Sequence, residues 1–177
     1  IITEDTQALA FGADAVLTHP RRIVTPLDDS VLQVNAGAQQ IIRRSRGYVP
    51  LPLVVAPSVP HPIAALGGDL KACFCLMLQN YVYPSQYFGD LESYEIQRAF
   101  RRGIQHMQQL FNVHPAAVAC DLHPGYYTTQ YADALALPIY AYQHHHAHIA
   151  SVMAEHRLSQ CIGIALDGTG YGPDGTV

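Results

Sequence analysis

Between Tyr48 and Ile63 the chain places proline at positions 50, 52, 57, 60 and 62. Proline fixes φ and has no N–H to donate, so at this density neither an α-helix nor a central strand can run through the stretch. The chain must therefore organise itself on either side of the break. We expect residues 1–52 to close one domain, 53–62 to be a proline-rich linker, and 63–177 to form part of a second domain. Ahead of the break, residues 31–35 and 39–43 flank Ala36-Gly37-Ala38, the pattern of a β-hairpin with glycine in its turn.

Behind the break the periodicities alternate. Residues 63–66 and 72–78 enclose Gly67-Gly68-Asp69-Leu70-Lys71 as strand, turn, strand. Ile96, Phe100, Ile104, Met107 and Phe111 recur at steps of three and four, which predicts an amphipathic helix over 92–111. Residues 116–120 read as a short strand ending at Asp121, 126–135 as a helix, 138–142 as a strand and 144–156 as a helix. Residues 161–166 read as a buried strand broken by Asp167-Gly168-Thr169-Gly170. Strands alternating with helices predict an α/β domain.

Composition narrows the function classes. The 177 residues are 49% apolar and 14% charged, which suits a soluble protein with a substantial core rather than a disordered one. A net charge of −4 argues against nucleic acid as partner, and Arg43-Arg44-Ser45-Arg46 is too short a basic cluster to reverse that. No apolar run approaches the ~18 residues that a membrane helix needs. Cys73, Cys75, Cys120 and Cys161 have no CxxC spacing, so we expect buried free thiols and a reducing, cytoplasmic setting. The chain opens on Ile1 and stops after Gly172-Pro173-Asp174-Gly175, and both ends read as cuts.

The chemistry concentrates in His144-His145-His146-Ala147-His148. On a helix, positions i and i+4 share a face, so His144 and His148 can present two imidazoles to one point. Paired histidines at that spacing are a recurrent metal clamp, while a solvated histidine patch is the plainer alternative. Asp167, at a strand end before a glycine turn, is the best third ligand, although a turn-forming aspartate could do without a metal. The glycines of Gly168-Thr169-Gly170 and of Gly67-Gly68-Asp69-Leu70-Lys71 allow close approach of backbone to phosphate, and either turn could equally be a plain hairpin. Asp121-Leu122-His123-Pro124 puts an acid and an imidazole at another strand end, with a satisfied loop histidine as the alternative.

These motifs, in order, resemble one family. Gln143-His144-His145-His146-Ala147-His148-Ile149-Ala150, then Ala154-Glu155-His156 and Ile164-Ala165-Leu166-Asp167-Gly168-Thr169-Gly170-Tyr171-Gly172, resemble the Kae1-like domain of HypF-type carbamoyltransferases. Ala65-Leu66-Gly67-Gly68-Asp69-Leu70-Lys71, Ser85-Gln86-Tyr87-Phe88-Gly89-Asp90-Leu91 and Ala119-Cys120-Asp121-Leu122-His123-Pro124 fit the same family. Asp28-Asp29-Ser30-Val31 and Arg43-Arg44-Ser45-Arg46-Gly47-Tyr48 look like the end of its YrdC-like domain, with Pro26 where the family pattern has arginine.

The resemblance implies a fold and an activity. The fold would be a remnant of a YrdC-like α/β domain followed by the first lobe of an actin/sugar-kinase/Hsp70-like (ASKHA) Kae1-like domain. The activity would use carbamoyl phosphate and ATP, through carbamoyl adenylate, to carbamoylate the C-terminal cysteine of the acceptor protein HypE in [NiFe]-hydrogenase maturation. His144, His148 and Asp167 would be the catalytic metal ligands, for Zn or Fe, with Mg accompanying the nucleotide. Gly67, Gly68, Lys71, Gly168, Thr169 and Gly170 would be phosphate-loop positions, and His145 and His146 would orient the helix or touch substrate. Ser30, Arg43 and Arg46 would belong to the nucleotide site of the YrdC-like domain. Two alternatives remain: an antibiotic-type O-carbamoyltransferase, and a non-catalytic metal- or nucleotide-binding module.

Overall fold

The structure, a computed structural model, describes residues 12–168 and 170–176. The hairpin ahead of the prolines forms as β1 (Val31–Asn35) and β2 (Ala38–Arg43), paired antiparallel. Its turn needs only Ala36 and Gly37, both at positive φ (49° and 81°), the geometry that matches the right-handed twist of two-residue hairpins.

A second sheet follows, with strands β3 (Leu53–Val54), β4 (Ile63–Leu66), β5 (Phe74–Leu78), β6 (Tyr81–Pro84), β7 (Ala117–Asp121) and β8 (Ile139–Tyr142). Its order is β3-β6-β5-β4-β7-β8. β3 to β6 pair antiparallel through β6-β5-β4, whereas β7 runs parallel to β4 and β8 parallel to β7. Parallel neighbours require crossovers, and α1 (Tyr94–Phe111) and α2 (Tyr127–Ala134) supply them. α3 (His144–His156) follows β8.

The expected helical stripe builds the core. Phe100, Ile104 and Met107 of α1 are buried with Ala64, Leu66, Phe74, Leu76, Val118 and Cys120 from alternate positions of β4, β5 and β7. Phe74, Phe88 and Phe100 meet at ring-centroid distances of 5.3 to 5.9 Å, two of the three pairs edge-on. Ser93 caps α1 by accepting from the Ile96 N–H (3.3 Å), and Asn112 ends it at φ 50°.

Three expectations change. Leu53–Val54, inside the proline-rich stretch, pairs with β6, so part of that stretch is an edge strand, the one place in a sheet where flanking prolines are tolerated. Residues 161–166 are not a buried strand: among the described residues they have no ladder partner, and Ile162, Ile164 and Leu166 are exposed. Of the cysteines, Cys120 is buried and Cys75 partly so, with burial pushing the Cys75 thiol up to about 12, but Cys73 and Cys161 are exposed. All four are free. Among the described residues no helix is long and apolar enough to cross a membrane.

Candidate metal centre

The parallel strands β7 and β8 bring two distant residues to one edge. Asp121 is the last residue of β7 and pairs in register with Tyr142, the last of β8. The Leu122 N–H donates to the Tyr142 carbonyl (2.9 Å), holding the two ends together. Gln143 then starts α3, its side-chain oxygen accepting from the His146 N–H (3.0 Å), so the helix begins at His144, beside Asp121. This is the carboxyl end of the parallel strands, where open α/β sheets bind ligands.

Four side chains converge there. The Asp121 carboxylate, whose side chain is only 6% exposed, lies 2.7 Å from His144 Nδ1. His144 Nε2 lies 3.0 Å from Asp167 Oδ2 and 3.1 Å from His148 Nε2, and His148 Nε2 lies 3.4 Å from the same Asp167 oxygen. The ligand atoms of His144, His148 and Asp167 all lie within 4.8 Å of one another. Two imidazole nitrogens held 3.1 Å apart around one carboxylate oxygen satisfy each other only through a shared proton or a shared cation. Two neutral imidazoles with one carboxylate form a donor set suited to Zn or Fe. The residues present therefore fit a divalent metal. The Gly168 N–H donating to Oδ1, and after it the imidazoles of His144, His148 and His145, hold the Asp167 carboxyl below the usual carboxylate range, in the form a cation needs.

Glycine and aromatic residues wall the clamp. A Cβ at Gly68 would stand 3.5 Å from Tyr126 Cε2 and 3.6 Å from His144 Cε1, so the Gly67-Gly68 turn passes directly beside the clamp. Tyr126 stacks on His123 (4.2 Å, 9°), and Tyr171 tilts against the same imidazole at 5.2 Å. Burial first, then the negative fields of Asp121, Asp69 and Asp167, push the Tyr126 hydroxyl upward, so it stays a neutral donor. Asp69 reaches from the same glycine turn to the start of α2, accepting from the N–H groups of Tyr127 (2.7 Å) and Thr128 (3.1 Å).

The remaining expected positions fall as follows. Gly168 and Gly170 flank the clamp through Asp167 and His145, and Thr169 lies outside the described residues. Lys71 is exposed, at φ 52°, with its N–H on Asp90 Oδ1 (2.7 Å). Ser30, Arg43 and Arg46 gather around residues 27–30, not at the clamp. Ser30 Oγ donates to the Arg46 carbonyl (2.8 Å), Arg43 pairs with Asp28 (3.4 Å), and Arg46 pairs with Asp29 (3.5 Å) and donates to the Leu27 carbonyl (3.0 Å). The sequence grouped Asp121 with His123 and missed its contact with His144. The available signal was that Asp121 closes one predicted strand while His144 follows the next.

The chain is similar to proteins of one family. The sequence profile of the HypF Kae1-like domain matches residues 58–155. The carbamoyltransferase HypF of Synechocystis sp. is 45% identical over 93% of this chain and 22% of its own length, and that of Rhizobium leguminosarum bv. viciae is 46% identical with the same coverage. A crystal structure of full-length HypF in the phosphate- and nucleotide-bound form superposes with a TM-score of 0.86 at 49% identity, covering 92% of this chain and 26% of that one. A crystal structure of T. kodakarensis HypF superposes with a TM-score of 0.75 at 41% identity, covering 84% of this chain and 20% of that one. The chain thus spans about a fifth of the length of the curated relatives it matches. Its mixed α/β fold is of the ASKHA-like type that the HypF Kae1-like domain carries. With more than half of its residues inside that profile, the chain belongs to the HypF family, through its Kae1-like domain.

Proposed function

We propose that this chain forms the metal-clamp lobe of a HypF-type carbamoyltransferase, which takes carbamoyl phosphate and ATP and passes a carbamoyl group, by way of carbamoyl adenylate, to the C-terminal cysteine of HypE. The observation that carries the reading is the convergence of His144 Nε2, His148 Nε2 and Asp167 Oδ2 at the carboxyl ends of β7 and β8. HypF-named relatives and a HypF structure bound to phosphate and nucleotide support it. His144, His148 and Asp167 would hold the ion, which when bound supplies positive charge against phosphate or carbamoyl oxygens.

The chain's other residues act around that point. Gly68, whose missing side chain would stand against Tyr126 and His144, lets the backbone of this turn approach an anionic group at the clamp. Tyr126 supplies a neutral hydroxyl on the same side. Gly67, Lys71, Gly168, Thr169 and Gly170 complete the phosphate-binding turns, Ser30, Arg43 and Arg46 serve the nucleotide site of the YrdC-like part, and the reaction takes place in the cytoplasm. The test is mass-spectrometric detection of thiocarboxamide on the HypE C-terminal cysteine, using the full-length enzyme. His144→Ala and His148→Ala should each cut the rate by at least about a hundredfold, in the range seen on loss of a metal ligand or an electrostatic stabiliser. Transfer that survives both substitutions would overturn the reading.

A further inference from the structure

Asp121 has no place in the ligand set, yet it is the most buried charged group at the site, 8% exposed, and both of its oxygens are committed. Oδ2 faces His144 Nδ1 at 2.7 Å, and Oδ1 accepts from the His123 backbone N–H at 2.9 Å. We propose that Asp121 is a positioning residue that fixes His144 as its Nδ1–H tautomer, leaving the Nε2 lone pair for a divalent cation, and that it ties the aromatic His123 loop to the clamp through its second oxygen. This rests on the metal reading of His144, His148 and Asp167.

Donor and acceptor roles set which ring nitrogen holds the proton. An ionised carboxylate only accepts, so the ring nitrogen it faces must carry the proton. With a cation in the clamp the imidazole is neutral and has one N–H, so Nε2 is then bare. Without one, His144 Nε2 also faces an acceptor, Asp167, as well as His148, and the proton held there is what the cation displaces, whereas Nδ1 faces Asp121 in either state. The other oxygen has a partner that cannot change role, since a backbone N–H is a donor in every state. Histidine ligands characteristically donate their second nitrogen to such an outer carboxylate, whose loss costs about 10–100-fold in metal affinity.

This wiring makes a counter-intuitive prediction for the isosteric variant. Asparagine has one oxygen and one NH2 group in place of two oxygens. In Asp121→Asn the oxygen goes to the His123 N–H, whose role is fixed, and the NH2 turns to His144, whose tautomer is not. Nδ1 must then accept, the proton moves to Nε2, and the ligand lone pair is lost. Asp121→Ala leaves the ring free to choose, so it should disturb the cation less than Asn although it leaves a hole. A purely structural role gives the opposite order, because Asn fills the site and Ala empties it.

The experiment has two arms on the full chain. In the metal-free protein, long-range 15N–1H spectra of ring-labelled histidine report the tautomer, with the His144 signals assigned by their loss in His144→Ala. The parent should show a proton on Nδ1, whatever Nε2 holds, and Asp121→Asn should show Nδ1 bare with the proton on Nε2. In the second arm, Zn²⁺ affinity is measured against a chromophoric chelator, alongside thermal melts. Asp121→Asn should lose about 100-fold, Asp121→Ala about 10-fold, and Asp121→Glu least, while the melts rank Ala below Asn. Parent-like tautomer and affinity in Asp121→Asn would sink the inference and leave the clamp standing. A parent that binds no Zn²⁺ would instead remove the clamp, and the tautomer arm would still decide the role of Asp121.

Discussion

At the scale of single residues, the site is defined as much by missing side chains as by present ones. A methyl group on Gly170 would stand 2.6 Å from His145 Cε1 and 2.8 Å from His145 Nε2, inside any permitted contact. Among the described residues the buried His145 Nε2 has no hydrogen-bond partner, and the ring is tethered through Nδ1 to the Gln143 amide (3.2 Å) at the helix cap. The ring has little freedom to retreat, so the turn that carries Asp167 must move instead. We therefore expect Gly170→Ala to weaken Zn²⁺ binding roughly tenfold, the lower end of what displaced ligand supports cost, with an almost unchanged melt. Gly68→Ala meets neighbours only at 3.5 and 3.6 Å, ordinary contact, and should leave Zn²⁺ affinity as it is. A chelator-competition titration of the two variants checks both, and parent-like binding by Gly170→Ala would show that the turn does not depend on His145.

Among the elements, α2 starts without a side chain of its own to cap it: Tyr126 stands at the cap and makes no side-chain bond. Asp69, from the β4–β5 connection, does that work across the sheet by accepting from Tyr127 N, Thr128 N and Thr128 Oγ1. A carboxylate there also complements the positive end of the helix. Asp69→Ala should cost about 1–2 kcal/mol, as loss of an N-cap does, and Asp69→Asn clearly less; equal urea midpoints for parent and Asp69→Ala would contradict this. The contact also shows what the sequence could and could not convey. Periodicity located α1 and α3, and β4, β5, β7 and β8 to within a residue or two, because each carries its own spacing of apolar or β-forming residues. It missed β3, two residues in the proline-rich stretch that only pairing makes a strand, and β6, whose four residues end on Pro84. It misread residues 161–166 for the same reason in reverse, since an apolar run becomes a strand only where a ladder accepts it. The clamp was legible because His144 and His148 lie four apart on one helix. Asp121 was not, because its contact lies 23 residues away and depends on the parallel register of β7 with β8.

For the whole molecule, the question is whether a folded clamp is enough for turnover. The first-turn geometry is in place, but the clamp is open: the side chains of His148 and Asp167 are 57% and 37% exposed. Beside it, Ile139, Tyr140 and Tyr142 of β8 and Ile162, Ile164 and Leu166 of the following segment present apolar surface to solvent. An acyl adenylate is hydrolysed wherever water reaches it, and charge stabilisation by a cation weakens in a high-dielectric setting. Were His144, His148 and Asp167 to hold a cation, side chains this exposed would leave it open to water. We accordingly expect the 177-residue chain by itself to bind Zn²⁺ through His144, His148 and Asp167 and yet to show no ATP turnover dependent on carbamoyl phosphate. Chelator competition reads the first half, and release of AMP or pyrophosphate with and without carbamoyl phosphate reads the second. Binding without turnover would separate the two tasks, placing metal capture in this lobe and water exclusion elsewhere in the full-length enzyme. Carbamoyl-phosphate-dependent turnover by the isolated chain would mean that an open clamp suffices, and the enclosure argument would fall.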